Sequence, residues 1–289
     1  MKEFLSEVVL DGFIDVLKLI PFLFIAFLIL EYIEHKMSKK NKDFLSKNTK
    51  IGPLVGSLLG AFPQCGFSSL ATNLFSSRVI TLGTLIAIYL STSDEMLPLM
   101  IANKINGLII IKIIATKLVI GLIFGYIIDL IYRKKYQKEE KIDSHIHNLC
   151  HDVDCHCEDG IIKSSIIHTL KITLYIFIAN FLIGTLIYYI GEDSIKNILK
   201  NGNILTYFLA SLIGLIPNCA SSVIITELYL NSMISLGTLL SGTLTGAGVG
   251  LLILFKENKH FKENIMIVSI VYIIGVICGF LIDLIGVVF

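Results

Sequence analysis

The sequence predicts an all-α integral membrane protein of two inverted repeats, each with three full spans plus a Pro-tipped re-entrant hairpin, about ten helical segments in all. Three observations carry the prediction. Of 289 residues, 54% are hydrophobic and 16% charged, whereas a soluble domain carries roughly 25% charged residues; the mean hydropathy is +0.79. Residues 57–85 (SLLGAFPQCGFSSLATNLFSSRVITLGTL) align without a gap onto 211–239 (SLIGLIPNCASSVIITELYLNSMISLGTL), an offset of 154 at which 13 of 29 positions are identical. The basic loops satisfy the positive-inside rule only if the two halves are oppositely oriented. The expected organisation is a first transmembrane repeat over 1–135, a His/Cys-rich linker over 136–163 and a second transmembrane repeat over 164–289.

The elements follow in order. The N-terminal MKEFLSEVVLDGF has acids where a cleaved leader has its basic region, so the apolar segment 10–33 is expected to be a retained span. Its counterpart is 164–190, and DVLKLIPFLFIA (15–26) matches HTLKITLYIFIA (168–179) with one residue of slip. Next come 51–76 and 205–230, stretches of 26 residues interrupted by Pro63 and Pro217. Proline breaks a helix interior, and two crossings need about 20 residues each. Two arms of about 12 residues rise about 18 Å apiece, which fits a re-entrant hairpin better than one kinked span. Two long spans close each half, 79–103 and 105–131, then 233–255 and 264–288, with GLIFGYIIDLI (121–131) repeated as GVICGFLIDLI (275–285).

Topology follows from Lys and Arg. Loop 36–50 has six Lys and one acid and is expected inside; loop 191–203 has two Lys and two acids and is expected outside. The tract RKKYQKEEK (133–141) and the loop KENKHFK (256–262) also fall inside. These assignments agree when each half crosses an odd number of times. The expected protein is therefore a multi-pass protein of the cytoplasmic membrane, with both termini outside and the linker cytoplasmic.

Non-helical backbone at membrane depth must be buried by protein or line a cavity. The hairpin tips bring PQCGFSS (63–69) and PNCASS (217–222) there, so Gln64, Cys65, Ser68, Asn218, Cys219, Ser221 and Ser222 are candidate substrate ligands. Each thiol also fits as a small core residue; two of them at repeat-equivalent positions favour a paired site. A second constellation is STSDEMLP (91–98), with Ser91, Thr92, Ser93, Asp94 and Glu95. Charge within a span is expensive and usually functional, although the acid pair alternatively caps a span at the outer interface. Its repeat counterpart TGAGVG (245–250) replaces the acids by glycines. Lys117 is deep enough to neutralise Asp94 or Glu95, or else it snorkels with Lys112. Asp129 and Asp283, equivalent in the repeat, read as caps at span ends, and Glu227 faces either the cavity or the interface.

The linker holds HIHNLCHDVDCHCED (145–159), in which His145, His147, Cys150, His151, Cys155, His156 and Cys157 give seven imidazole and thiol ligands in 13 residues. Such ligands suit Zn, Ni, Co and Cu, and the spacing matches no closed zinc finger, so an open cytoplasmic metal-binding loop is expected.

Composition and motifs narrow the function. The balance of 24 basic against 23 acidic residues excludes a basic nucleic-acid face, and six Cys without a CxxC pair do not form a secreted disulfide scaffold. No GxxxxGK[ST] occurs, so energy is expected from a proton or ion gradient, with Asp94 and Glu95 as proton carriers. No intramembrane HExxH is present, and no enzyme is expected. A secondary exporter of a soft or borderline metal ion or metalloid fits best, by alternating access at a midplane site formed by the two tips. Only Cys65 and Cys219 fall naturally at the core, with Cys278 deep in the last span, one thiol short for trivalent arsenic, which tilts the cargo toward a divalent cation. Manganese or another hard cation on Asp94, Glu95 and backbone oxygens is the alternative, as is a small oxyanion at helix N-termini. A membrane metal sensor is the alternative of another class. No tightly bound cofactor is expected, with Zn, Ni, Co, Cu or Mn as cargo or loop ligand; the partners are the lipid bilayer, the ion and its driving gradient, with a homodimer left open.

With GAFPQCGFSS, LGTL followed by STSDEMLP, the His/Cys loop and GLIPNCASS in this order, the chain resembles the ten-span heavy-metal exporters, labelled arsenic-efflux-type permeases and in some cases manganese transporters. The likeness runs over essentially the whole chain and implies a multi-pass transporter of the bacterial cytoplasmic membrane. A weaker likeness, to organoarsenical permeases, rests on the Pro-adjacent Cys.

Overall fold

A computed structural model describes residues 51–62, 65–139, 161–190 and 204–286, with helical positions 17, 20, 21, 23–25, 27 and 28. The helices are α1 (Gly52–Gly60), α2 (Cys65–Ser76), α3 (Leu82–Ser91), α4 (Met96–Ala102), α5 (Gly107–Glu139), α6 (Ile161–Ile190), α7 (Leu205–Gly214), α8 (Cys219–Leu230), α9 (Leu236–Thr245), α10 (Val249–Glu257) and α11 (Phe261–Ile285). The bounds of α2 and α3 and the start of α5 recur 154 residues on, in α8, α9 and α11. The stretches expected to break at proline do so, into α1 and α2 and into α7 and α8.

Leu82–Ala102, Gly107–Tyr132, Leu236–Glu257 and Phe261–Ile285 are long and apolar enough to cross a bilayer. At 33 residues, α5 is about 50 Å long, some 20 Å more than the hydrocarbon core. Its basic C-terminal end therefore runs beyond that core.

Where the sequence predicts continuous spans over 79–103 and 233–255, each is interrupted near its middle, between α3 and α4 and between α9 and α10. Just before the first break, Ser91 Oγ donates back to Ala87 O at 2.8 Å and Thr92 Oγ1 to Ile88 O at 2.7 Å, while Ile88 O still accepts from Thr92 N–H at 3.0 Å; such back-bonding bends a helix. The backbone then takes a positive φ, 33° at Asp94 and 53° at Gly248. These two residues occupy the same repeat position, and both lead directly into the second half-helix.

The halves pack in the same way. In the first, α3 lies against α1 and α5; in the second, α9 lies against α7 and α11. Two of the shorter helices pack across the halves: α2 on α10 and α8 on α4. Every residue of α3 and of α9 is buried, so the two interrupted spans form the centre. Around them, α5, α6 and α11 turn Leu108, Ile111, Leu130, Leu174, Ile273 and Leu284 outward, the apolar face a bilayer requires. Leu23 and Phe27 join Ile172 and Ile176 of α6 against Val249 and Ile253 of α10.

Two crossings depend on the absence of a side chain. A Cβ at Gly83 would strike the Gly125 carbonyl and the Asp129 carboxylate, and one at Gly237 the Gly279 carbonyl and the Asp283 carboxylate. The close approach lets each carboxylate cap its neighbour. Asp129 accepts from Gly83 N–H and from Thr81 Oγ1, both at 2.8 Å. Asp283 accepts from Gly237 N–H and from Tyr207 OH, both at 2.8 Å, and from Ser235 Oγ. Thr81 and Ser235 are the N-caps of α3 and α9. The two acids thus satisfy N-terminal donors of a neighbouring helix rather than ending their own.

Candidate functional site

The breaks in the helical path come together at one level of the bundle. A Cβ at Gly60, the last residue of α1, would meet Ser91 Oγ, the last residue of α3; one at Gly214, ending α7, would meet Gly242 O and Thr245 Oγ1 at the end of α9. The ends of α1 and α7 therefore lie against the ends of α3 and α9.

Lys117 lies at this level. It sits on α5, ten residues from the start and fifteen from the end of the Gly107–Tyr132 stretch, and its side chain is 0% exposed. It does not snorkel. Its ammonium donates to Thr92 O, in the first break, and to Thr243 O at 2.8 Å, near the end of α9. Both carbonyls are ones the interruptions free from the helical ladder, at the partly negative C-terminal ends of their helices. The buried Asp94 follows two residues after Thr92, whose carbonyl Lys117 engages. Lys112, one turn or more away, is exposed.

The predicted acid–hydroxyl group is assembled and enclosed. Ser91, Thr92 and Ser93 are buried, and Asp94 is 6% exposed. Glu95 stands apart, half-buried at the N-cap position of α4 with no side-chain cap bond. The second tip is ordered by its own side chains. Asn218 caps α8 by accepting from Ala220 N–H at 3.0 Å, Ser221 donates to Asn218 O at 2.8 Å, and Ser222 donates to Cys219 O at 2.9 Å. A hydroxyl whose proton is committed in this way still presents lone pairs. Cys219 is partly buried as the first residue of α8. In the first tip, Ser68 is buried; Gln64 and the Cys65 side chain lie outside the described residues, as do His145, His147, Cys150, His151, Cys155, His156 and Cys157 of the linker. Among the described residues no three His, Cys, Asp or Glu side chains gather as a metal cluster. Cys278 is buried within the apolar core instead.

Two participants escape sequence reasoning. Thr243 contributes its carbonyl alone, which no side-chain pattern signals. Tyr89, its repeat-equivalent, is 0% exposed; it shares a 2.6 Å hydrogen bond with Thr72, and both hydroxyls approach Gly250 O at 3.2 Å. The repeat offset pairs positions 89 and 243, but which backbone each serves is a tertiary fact.

The ends of the molecule pair across the halves. Arg78, beyond α2, makes a two-pronged ion pair with Glu263 of α11, at 2.9 and 2.8 Å. At the far end of the Leu82–Ala102 stretch, Asn103 and Ile105 line a pocket with Glu227, Leu230 and Asn231.

Residues 1–192 fit the family model described as "Putative, 10TM heavy-metal exporter". No curated protein and no solved structure matches the chain.

Proposed function

From the premise that this chain belongs to the ten-span heavy-metal exporter family, and so is a multi-pass membrane protein, we propose that it is a secondary-active exporter. Its cargo is a soft or borderline metal ion or metalloid, moved by alternating access at a midplane site between the two hairpin tips. The observation that carries the proposal is the convergence of breaks: α1 and α7 end against α3 and α9 where those helices unwind. Interrupted helices meeting at mid-depth are how transporter folds expose backbone ligands. Cys65 and Cys219 each open a helix there, and helix N-termini favour a negatively charged ligand.

Inversion of the halves is supported by which ends touch. Arg78 and Asn103 lie at opposite ends of a spanning stretch. Arg78 pairs with Glu263, whereas Asn103 shares its pocket with Asn231. Ser232, the repeat-equivalent of Arg78, therefore falls at the opposite end, and positive-inside placement puts Arg78 in the cytoplasm. The termini then lie outside and the His/Cys linker inside, where it captures or buffers metal.

A second reading has its own observation. Asp94 is buried beside freed carbonyls and hydroxyl oxygens, a hard-ligand set suited to manganese. Elemental analysis by mass spectrometry of cells expressing wild type, Cys65→Ser/Cys219→Ser or Asp94→Asn separates the two. Soft-metal export predicts that wild type lowers one such element and that the double Cys variant loses this. Lowered manganese that survives the Cys changes and fails in Asp94→Asn establishes the hard-cation reading. No change in any element removes metal export and leaves the small-oxyanion transporter and the metal sensor.

A further inference from the structure

Lys117 spans the junction between the halves in a way that the exporter reading leaves unexplained. Its stem comes from α5, one acceptor belongs to the break after α3, and the other belongs to α9 in the opposite half. A buried ammonium at mid-span is costly unless it is paired and hydrogen-bonded. Here Asp94 supplies the charge and the carbonyls supply the acceptors. Freed carbonyls at the C-terminal ends of half-helices, with one carboxylate, are also the ligands by which interrupted spans hold a bare cation.

We propose that the Lys117 ammonium, held by Thr92 O and Thr243 O with the buried Asp94 two residues beyond Thr92, is a tethered stand-in for the exported cation, and that cargo loads by displacing it. The seat rests on the hard-cation form of the exporter reading above and deepens it, naming backbone ligands from both halves and the resting occupant. An ammonium is a compact charge on a flexible four-carbon stem, so it can leave the seat without moving α5. Its departure also removes the bridge between Thr92 and Thr243. Loading would then be coupled to freedom of one half to move against the other, and an empty transporter would stay bridged.

The test is Mn2+ binding to the full chain in lipid nanodiscs, read from the free-ion EPR signal. The proteins are wild type, Lys117→Ala, Lys117→Met and each Lys117 variant combined with Asp94→Asn. Lys117→Met keeps an unbranched stem packed should the alanine variant not fold. A site blocked most of the time loses apparent affinity by its open fraction. Both Lys117 variants are therefore expected to bind Mn2+ about tenfold or more tightly than wild type, and adding Asp94→Asn is expected to abolish the gain. Ethylammonium should compete with Mn2+ in Lys117→Ala, while tetramethylammonium, which has no N–H, should not. No gain in the folded Lys117 variants, or a gain that survives Asp94→Asn, overturns the proposal. The readout does not depend on transport: a gain in binding with no metal exported by wild type retains the seat and rejects the exporter, and the converse rejects the seat alone.

Discussion

At Asp94 the backbone has a φ of 33°, where its repeat-equivalent is Gly248 at 53°. An L-residue in the left-handed region costs roughly 1–2 kcal/mol, and such strain persists where the surroundings and the function require it. Both Asp94→Ala and Asp94→Gly strip Lys117 of its counter-charge, so both are expected to destabilise and to end transport. Their order is diagnostic. At an ordinary position glycine is worse than alanine by roughly 0.5–1 kcal/mol; here Asp94→Gly is expected to be the more stable by about 1 kcal/mol. Thermal unfolding in detergent measures the order, and the reverse order would show that φ is not strained. The STSDE acids and the depth of Lys117 were legible in the sequence, because charge in an apolar run stands out. The partners of Lys117 were not, since two of them are backbone carbonyls that only tertiary packing brings together.

Among the elements, the most exposed to a single change are α3 and α9, whose N-terminal donors are held by carboxylates of α5 and α11. Asp129→Ala is expected to cost about 1–2 kcal/mol, the usual loss of a helix cap. Asp283→Ala is expected to cost more, because Tyr207 loses an acceptor in addition to Ser235 and Gly237, which correspond to the Thr81 and Gly83 donors of Asp129. Melting temperatures of the two variants test this, and equal losses would mean that the extra hydrogen bond from Tyr207 contributes nothing. Gly237→Ala is expected to be worse than either, since its Cβ would meet backbone that cannot swing aside. The proline breaks and the start of α3 and α9 could be read directly from PxC and LGTL. The interruptions at 92–95 and 246–248 could not, because the acids of the first read equally well as charge at the end of an unbroken span and the Gly and Ala of the second leave the hydropathy pattern intact. What reveals them is backbone geometry: side-chain hydroxyls turned onto carbonyls, then a positive φ.

For the whole molecule, the proposed opposite orientation of the halves predicts which ends face which compartment. In a cysteine-free background, Arg78→Cys and Lys259→Cys are expected to react with an impermeant thiol reagent only from the cytoplasm. Lys104→Cys and Ser232→Cys are expected to react only from outside. Labelling of Arg78→Cys and Ser232→Cys from the same side would contradict inversion. The measurement that bears most directly on the central claim is uptake of metal into inside-out membrane vesicles driven by a proton gradient, resolved element by element by mass spectrometry. Vesicles carry either wild type or Asp94→Asn, matched for folded protein. The junction of the two interrupted spans predicts gradient-dependent uptake of one metal by wild type and its loss in Asp94→Asn. Equal uptake by both proteins would place the path away from that junction and contradict the account.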